Sequence, residues 1–102
     1  MAQTSSGQEA ESGRHLWAVE SAIRVSEEAD RVRQLVRASQ RAAADSLHKS
    51  AVSQDRTARS YEDLAEHSGR PNDYLEHAAR HREFAEEDRR MAGRLRQMAD
   101  SD

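Results

Sequence analysis

The chain of 102 residues contains no cysteine, a single proline, four glycines and only four aromatic side chains. Without cysteine there is no disulfide framework, thiolate nucleophile, iron–sulfur cluster or Cys-type zinc site, and redox sensing through thiols is excluded. No apolar run is long enough for a secretory signal or a membrane span, so the expected location is the cytoplasm, reached through missing signals alone. Large hydrophobic residues are scarce too: 35% of residues are apolar, but 17 of them are alanine. That leaves about 19 large apolar side chains, enough for a thin interior only. At 11.5 kDa and a formal charge of -3, the expectation is one small domain rather than a multidomain enzyme.

What is present is helix-forming. Residues 1–13, MAQTSSGQEAESG, offer no large apolar group after Met1 and are expected to form a disordered tail. From Arg14 to Ser68 there is neither glycine nor proline, and Ala, Leu, Glu, Arg and Gln dominate. This predicts a helix over 14–68. Gly69, Arg70, Pro71 and Asn72 predict a turn, with glycine in the left-handed position that follows a helix end and proline opening the next helix. A second helix is expected over 73–99, and strand signals are absent. The fold class is therefore all-α, a long antiparallel helical hairpin resembling a coiled coil. The alternative is a three-helix bundle, should the first helix break near Ala42–Ser46. Three successive alanines there propagate helix and favour continuity.

The second helix carries two strict heptad columns, His77, Phe84, Met91 and Met98 beside Ala78, Ala85, Ala92 and Ala99. Alanine columns permit close approach of a neighbouring helix. The first helix shows Leu16, Val19, Ile23, Ala29, Val32, Val36, Ala43, Leu47, Ala51, Ala58, Tyr61 and Ala65, with a stutter near Leu47. A second helix of this length covers the first only to about Ala43. Trp17, Val19, Ile23, Val25, Val32, Leu35 and Val36 then need cover from elsewhere, which predicts a homodimer or a helical protein partner.

Four groups of polar residues are candidates for chemistry. His77 and His81 stand four apart on one helical face, a spacing that suits a shared Zn or Fe ion, with Asp63 and His67 as further candidate ligands. The competing structural reading bonds His81 to Tyr61 across the seam. No Glu-x-x-His pair of the di-iron kind and no His-Glu-x-x-His pattern occurs, so the base expectation is no cofactor. Asp88, with Gln54, Tyr61 and His81, reads as a polar lock that fixes helix register, and Gln54 and Arg56 are expected beside Asp88. No Ser-His-Asp or paired-carboxylate constellation stands out, which argues against an enzyme. Arg31, Arg33, Arg37 and Arg41 form the most basic stretch. Nucleic acid is disfavoured as a partner, because no aromatic interleaves with the arginines to stack on bases. Membrane binding is not expected either, for want of Trp or Phe beside Val32, Leu35 and Val36. The serines at 39, 46, 50, 53 and 60 read as small residues that let a neighbour approach.

The stretch S-A-V-S-Q-D-R-T-A-R-S-Y-E-D-L-A, a short turn, and Y-L-E-H-A-A-R-H-R-E-F-A-E-E-D-R-R, over roughly residues 50–92, resembles small uncharacterised helical-hairpin proteins of actinobacteria. The resemblance rests on His77, His81, Arg82, Ala85, Asp88 and Arg89. It implies a recurring hairpin with a His and Asp seam and brings no activity with it. Gln54 stands where the resemblance would place a histidine.

Overall fold

The computed structural model describes the backbone of residues 2–101 and the side chains of residues 10–101. Two helices account for it: α1, Ala2–Glu66, and α2, Pro71–Asp100. Among the described residues there is no strand. Helix α1 is unbroken through Ala42–Ser46, as three alanines in a row favour, so the hairpin holds and the three-helix alternative does not. Residues 10–13, assigned to a disordered tail by composition, continue α1 and are exposed. The rest of that expectation falls on residues 1–9, whose side chains lie outside the described set.

The turn falls two residues earlier than expected and keeps the expected length. Helix α1 stops at Glu66, two residues before Ser68, and the His67 amide donates to the Leu64 carbonyl at 3.2 Å. The Arg70 amide donates to the Ser68 hydroxyl at 3.0 Å. Gly69 does not adopt a positive φ, which corrects the left-handed cap expected of it. These two hydrogen bonds close the turn instead. Pro71 begins α2, where its missing N–H is no loss and its fixed φ suits the first turn. Asp73 adds favourable negative charge there.

The chain divides into two compact units, residues 1–35 and residues 36–102. The second holds the remainder of α1 and all of α2, packed antiparallel. Its core is made of alanine: Ala44, Ala51, Ala58 and Ala65 on α1, and Ala78, Ala85, Ala92 and Ala99 on α2, are all buried. Each column repeats every seven residues, so each stays on the seam for its whole length. The α1 column runs through Ala44 rather than the expected Ala43, which is exposed. From Ala44 to Ala65 the heptads are unbroken, and no stutter occurs at Leu47.

Beside the alanines runs a second column of partly covered residues, Leu47, Gln54 and Tyr61 on α1 and Tyr74, His81, Asp88 and Leu95 on α2. The first unit, residues 1–35, contains only the N-terminal portion of α1. Its large apolar side chains are exposed: Leu16, Trp17, Val19, Ile23, Val25, Val32 and Leu35.

Candidate functional site

The polar side chains that sequence singles out converge in the second unit around Tyr61. Its ring lies against three side chains of α2, with centroid distances of 6.1 Å to Tyr74, 5.0 Å to His77 and 5.6 Å to His81. Tyr74, His77, Ala78 and His81 occupy successive positions spaced three, one and three apart, which form the four corners of a hole on a helix surface. Tyr61 is the knob that fills it. All three ring pairs are stacked with small interplanar angles, and His81 meets Phe84 edge-on at 6.2 Å.

Two turns further from the loop, His81 Nδ1 and Gln54 Oε1 lie 2.6 Å apart across the seam. The amide oxygen accepts, so this ring nitrogen carries the proton. The expected hydrogen bond from His81 to Tyr61 is thus replaced by one to Gln54, and Tyr61 stacks on the ring face instead. A half-covered imidazole whose donor is satisfied sits in a seam without an unmet hydrogen bond.

The pairs Tyr61–Tyr74 and Gln54–His81 fix the register. Seven residues further along each helix, Leu47 falls opposite Asp88, and seven beyond that Gln40 falls opposite Leu95. Asp88 therefore does not meet Gln54 or Arg56, as expected from a turn centred near Arg70. Opposite Asp88 the register places Leu47, seven residues before Gln54, and Arg56 is exposed. Of the proposed polar lock, Gln54, Tyr61 and His81 form one contiguous cluster, and Asp88 sits one layer away facing an aliphatic side chain. Gln40 Oε1 is buried without a hydrogen-bond partner, and Arg37 is half-buried on the same side of α1. The seam thus turns polar towards the first unit, while the neighbouring Val36 is exposed.

Other candidates fare differently. Asp63 lies two residues past Tyr61, about 200° further round α1 by helix geometry, and points away from His77 and His81. His67 Nδ1 engages the Asp63 backbone carbonyl at 2.9 Å. Among the described residues no group of three or more His, Cys, Asp or Glu side chains is placed to hold a metal ion, so His77, His81, Asp63 and His67 are not brought together as a ligand set. The basic stretch is not without acids: Arg33 pairs with Asp30, and Arg41 with Asp100 at 3.2 Å. Arg31 and Arg37 are the other two members of that stretch.

An ion-pair ladder that sequence reading missed flanks the seam on one side. Arg82 reaches both Glu62 and Asp55, Arg89 reaches Asp55, and Arg96 reaches Asp45 at 3.3 Å. Asp55, Glu62, Arg82, Arg89 and Arg96 all hold the heptad position next to the alanine columns, so the signal was a charge at every seventh residue on each helix. Exposed pairs of this kind contribute at most about 1 kcal/mol each, and they select pairing register more than they stabilise it.

Among the described residues, no helix is long and apolar enough to cross a membrane. Comparison of the chain with protein-family models, with curated proteins and with solved structures finds no match.

Proposed function

We propose that this protein is a non-enzymatic assembly protein that binds a second copy of itself through the N-terminal half of α1. The observation that carries this reading is exposure. Trp17 and Val25 are each 67% exposed and Leu35 is 70% exposed, along a stretch that also bares Leu16, Val19, Ile23 and Val32. A run of apolar groups of this extent exceeds the scatter expected on a monomer surface and marks an interaction site. Within it, Ala18, Ala22, Val25, Ala29 and Val32 follow one another at steps of four and three along one face, the spacing of the hairpin seam, while Leu16, Val19 and Ile23 form a second row on another face.

The same chain therefore supplies both the pattern and the chemistry of its partner. Metal binding at His77 and His81 draws no support from the ring contacts described above. Nucleic-acid binding at Arg31, Arg33, Arg37 and Arg41 would have to compete with Asp30 and Asp100 for two of its four cations. Light scattering across a concentration series tests the reading. The expected mass is twice 11.5 kDa at high concentration. A concentration-independent monomer defeats it.

A further inference from the structure

The two flanks of the hairpin are chemically opposite. One carries the ion-pair ladder of Asp45, Asp55 and Glu62 with Arg82, Arg89 and Arg96. On the other, α2 presents Phe84, Met91 and Met98, each close to half exposed. Facing them on α1 are Ser50 and Thr57, with Ser46, Ser53 and Ser60 one column further out. No ion pair joins the helices on this flank among the described residues. The ladder fixes which side is which, because the two flanks of an antiparallel pair are formed by the columns next to the alanines and the columns next to Tyr61 and His81.

Two hydroxyls on this flank are already satisfied by their own helix. The Thr57 hydroxyl donates to the Ser53 carbonyl at 3.1 Å, and the Ser60 hydroxyl donates to the Arg56 carbonyl at 3.1 Å. Covering them with a neighbour leaves no unmet donor. The α1 side of the flank is thus small and uncharged, and the α2 side is large, apolar and, at Met91 and Met98, conformationally adaptable. That is the surface on which a third helix lies down.

We propose that the flank formed by Ser46, Ser53 and Thr57 of α1 with Phe84, Met91 and Met98 of α2 receives the N-terminal segment of α1 from a second copy of the chain, and that the exchange is reciprocal. The proposal rests on the self-association reading above and names the surface that the exposed segment meets. Length supports this occupant. The column from His77 to Met98 and the exposed segment from Leu16 to Leu35 each extend about 30 Å at 1.5 Å per residue. Charge supports it as well, since neither the stripe Ala18, Ala22, Val25, Ala29 and Val32 nor the serine and threonine columns contain a charged residue. Each copy owns one exposed segment and one exposed flank. Reciprocal exchange across a twofold axis covers both and closes at a dimer.

Complementation tests this with full-length chains. One variant carries Val25→Glu and Val32→Glu, which damages the segment. The other carries Phe84→Glu and Met91→Glu, which damages the flank. Far-UV circular dichroism checks that both remain helical. Light scattering is expected to show the wild-type chain as a dimer and each variant alone weakened at least about tenfold. An equimolar mixture is expected to recover dimers, because a mixed pair keeps one intact segment on one intact flank. A flank variant that dimerises like the wild type overturns the inference, as does a mixture that stays monomeric. If the segment variant alone loses the dimer in that case, the self-association reading survives with the two segments pairing directly. A monomeric wild type overturns both. Should the glutamates cost helicity, Met91→Ser with Met98→Ser replaces them, with the same weakening expected and wild-type dimerisation again contradicting the proposal.

Discussion

Residues 16–35 and residues 44–65 belong to one helix and are written in nearly the same alphabet, yet the first stretch exposes its large apolar side chains and the second covers its own, wholly or in part, at every position but Leu64. The buried stretch does so with the smaller residues. Its core is a column of alanines, and its largest ring, Tyr61, is half-covered. The exposed stretch has tryptophan, isoleucine, leucine and three of the chain's valines short of Val36, and covers none of them fully. Burial here follows the presence of a partner helix with matching heptads, and hydrophobicity alone does not secure it. An unusually apolar stretch left exposed beside a sparsely apolar stretch that is packed indicates where the missing contact lies.

Substitutions can break or sharpen this contrast. The largest effect is expected at the alanine seam: Ala58→Leu, at a fully buried position, should destabilise the hairpin by about 2–3 kcal/mol through overpacking, read from denaturant unfolding. Ala22→Leu, at an exposed position of the first unit, should leave the stability of the hairpin within about 0.5 kcal/mol. Equal costs at the two sites would erase the distinction between the regions. Tyr61→Ala removes the knob from its hole and should cost about 2 kcal/mol, partly recovered by Tyr61→Phe, since the hydroxyl has no hydrogen bond in the stack.

Two smaller effects of opposite sign test the polar column. Gln54→Ala leaves the His81 donor without its partner and should lower stability by about 1 kcal/mol. Asp88→Leu replaces a carboxylate opposite Leu47 with an aliphatic group and should raise stability by up to about 1 kcal/mol, as a higher midpoint in the same unfolding assay. A destabilised Asp88→Leu chain would show that the carboxylate has a stabilising role the register does not reveal. Smallest of all is Arg33→Ala, where loss of an exposed pair with Asp30 should change stability by less than about 0.5 kcal/mol.

Much of this was legible in the sequence. The absence of glycine and proline from Arg14 to Ser68, the Gly69–Pro71 break and the column Ala78, Ala85, Ala92 and Ala99 suffice to draw the hairpin. On α1, Ala51, Ala58, Tyr61 and Ala65 were legible as seam positions and the misreading was local: Ala42, Ala43 and Ala44 offer three phases of nearly equal hydropathy, and the buried one is Ala44, in heptad step with Ala51. The polar column was harder still. Gln54, Tyr61, His81 and Asp88 were all expected on the seam and are all partly covered there, but which of them meet shows only once Tyr61 is seen in its hole and Gln54 takes the His81 hydrogen bond. The turn misled for a different reason: Gly69 looks like a left-handed cap, but the chain turns two residues earlier, closed by the His67 amide and the Ser68 hydroxyl.

The most direct test is the solution mass of the full chain beside that of the Val25→Glu, Val32→Glu variant at one high concentration. The account predicts twice 11.5 kDa for the first and 11.5 kDa for the second, with equal helicity in both. Equal masses for the two chains would contradict it.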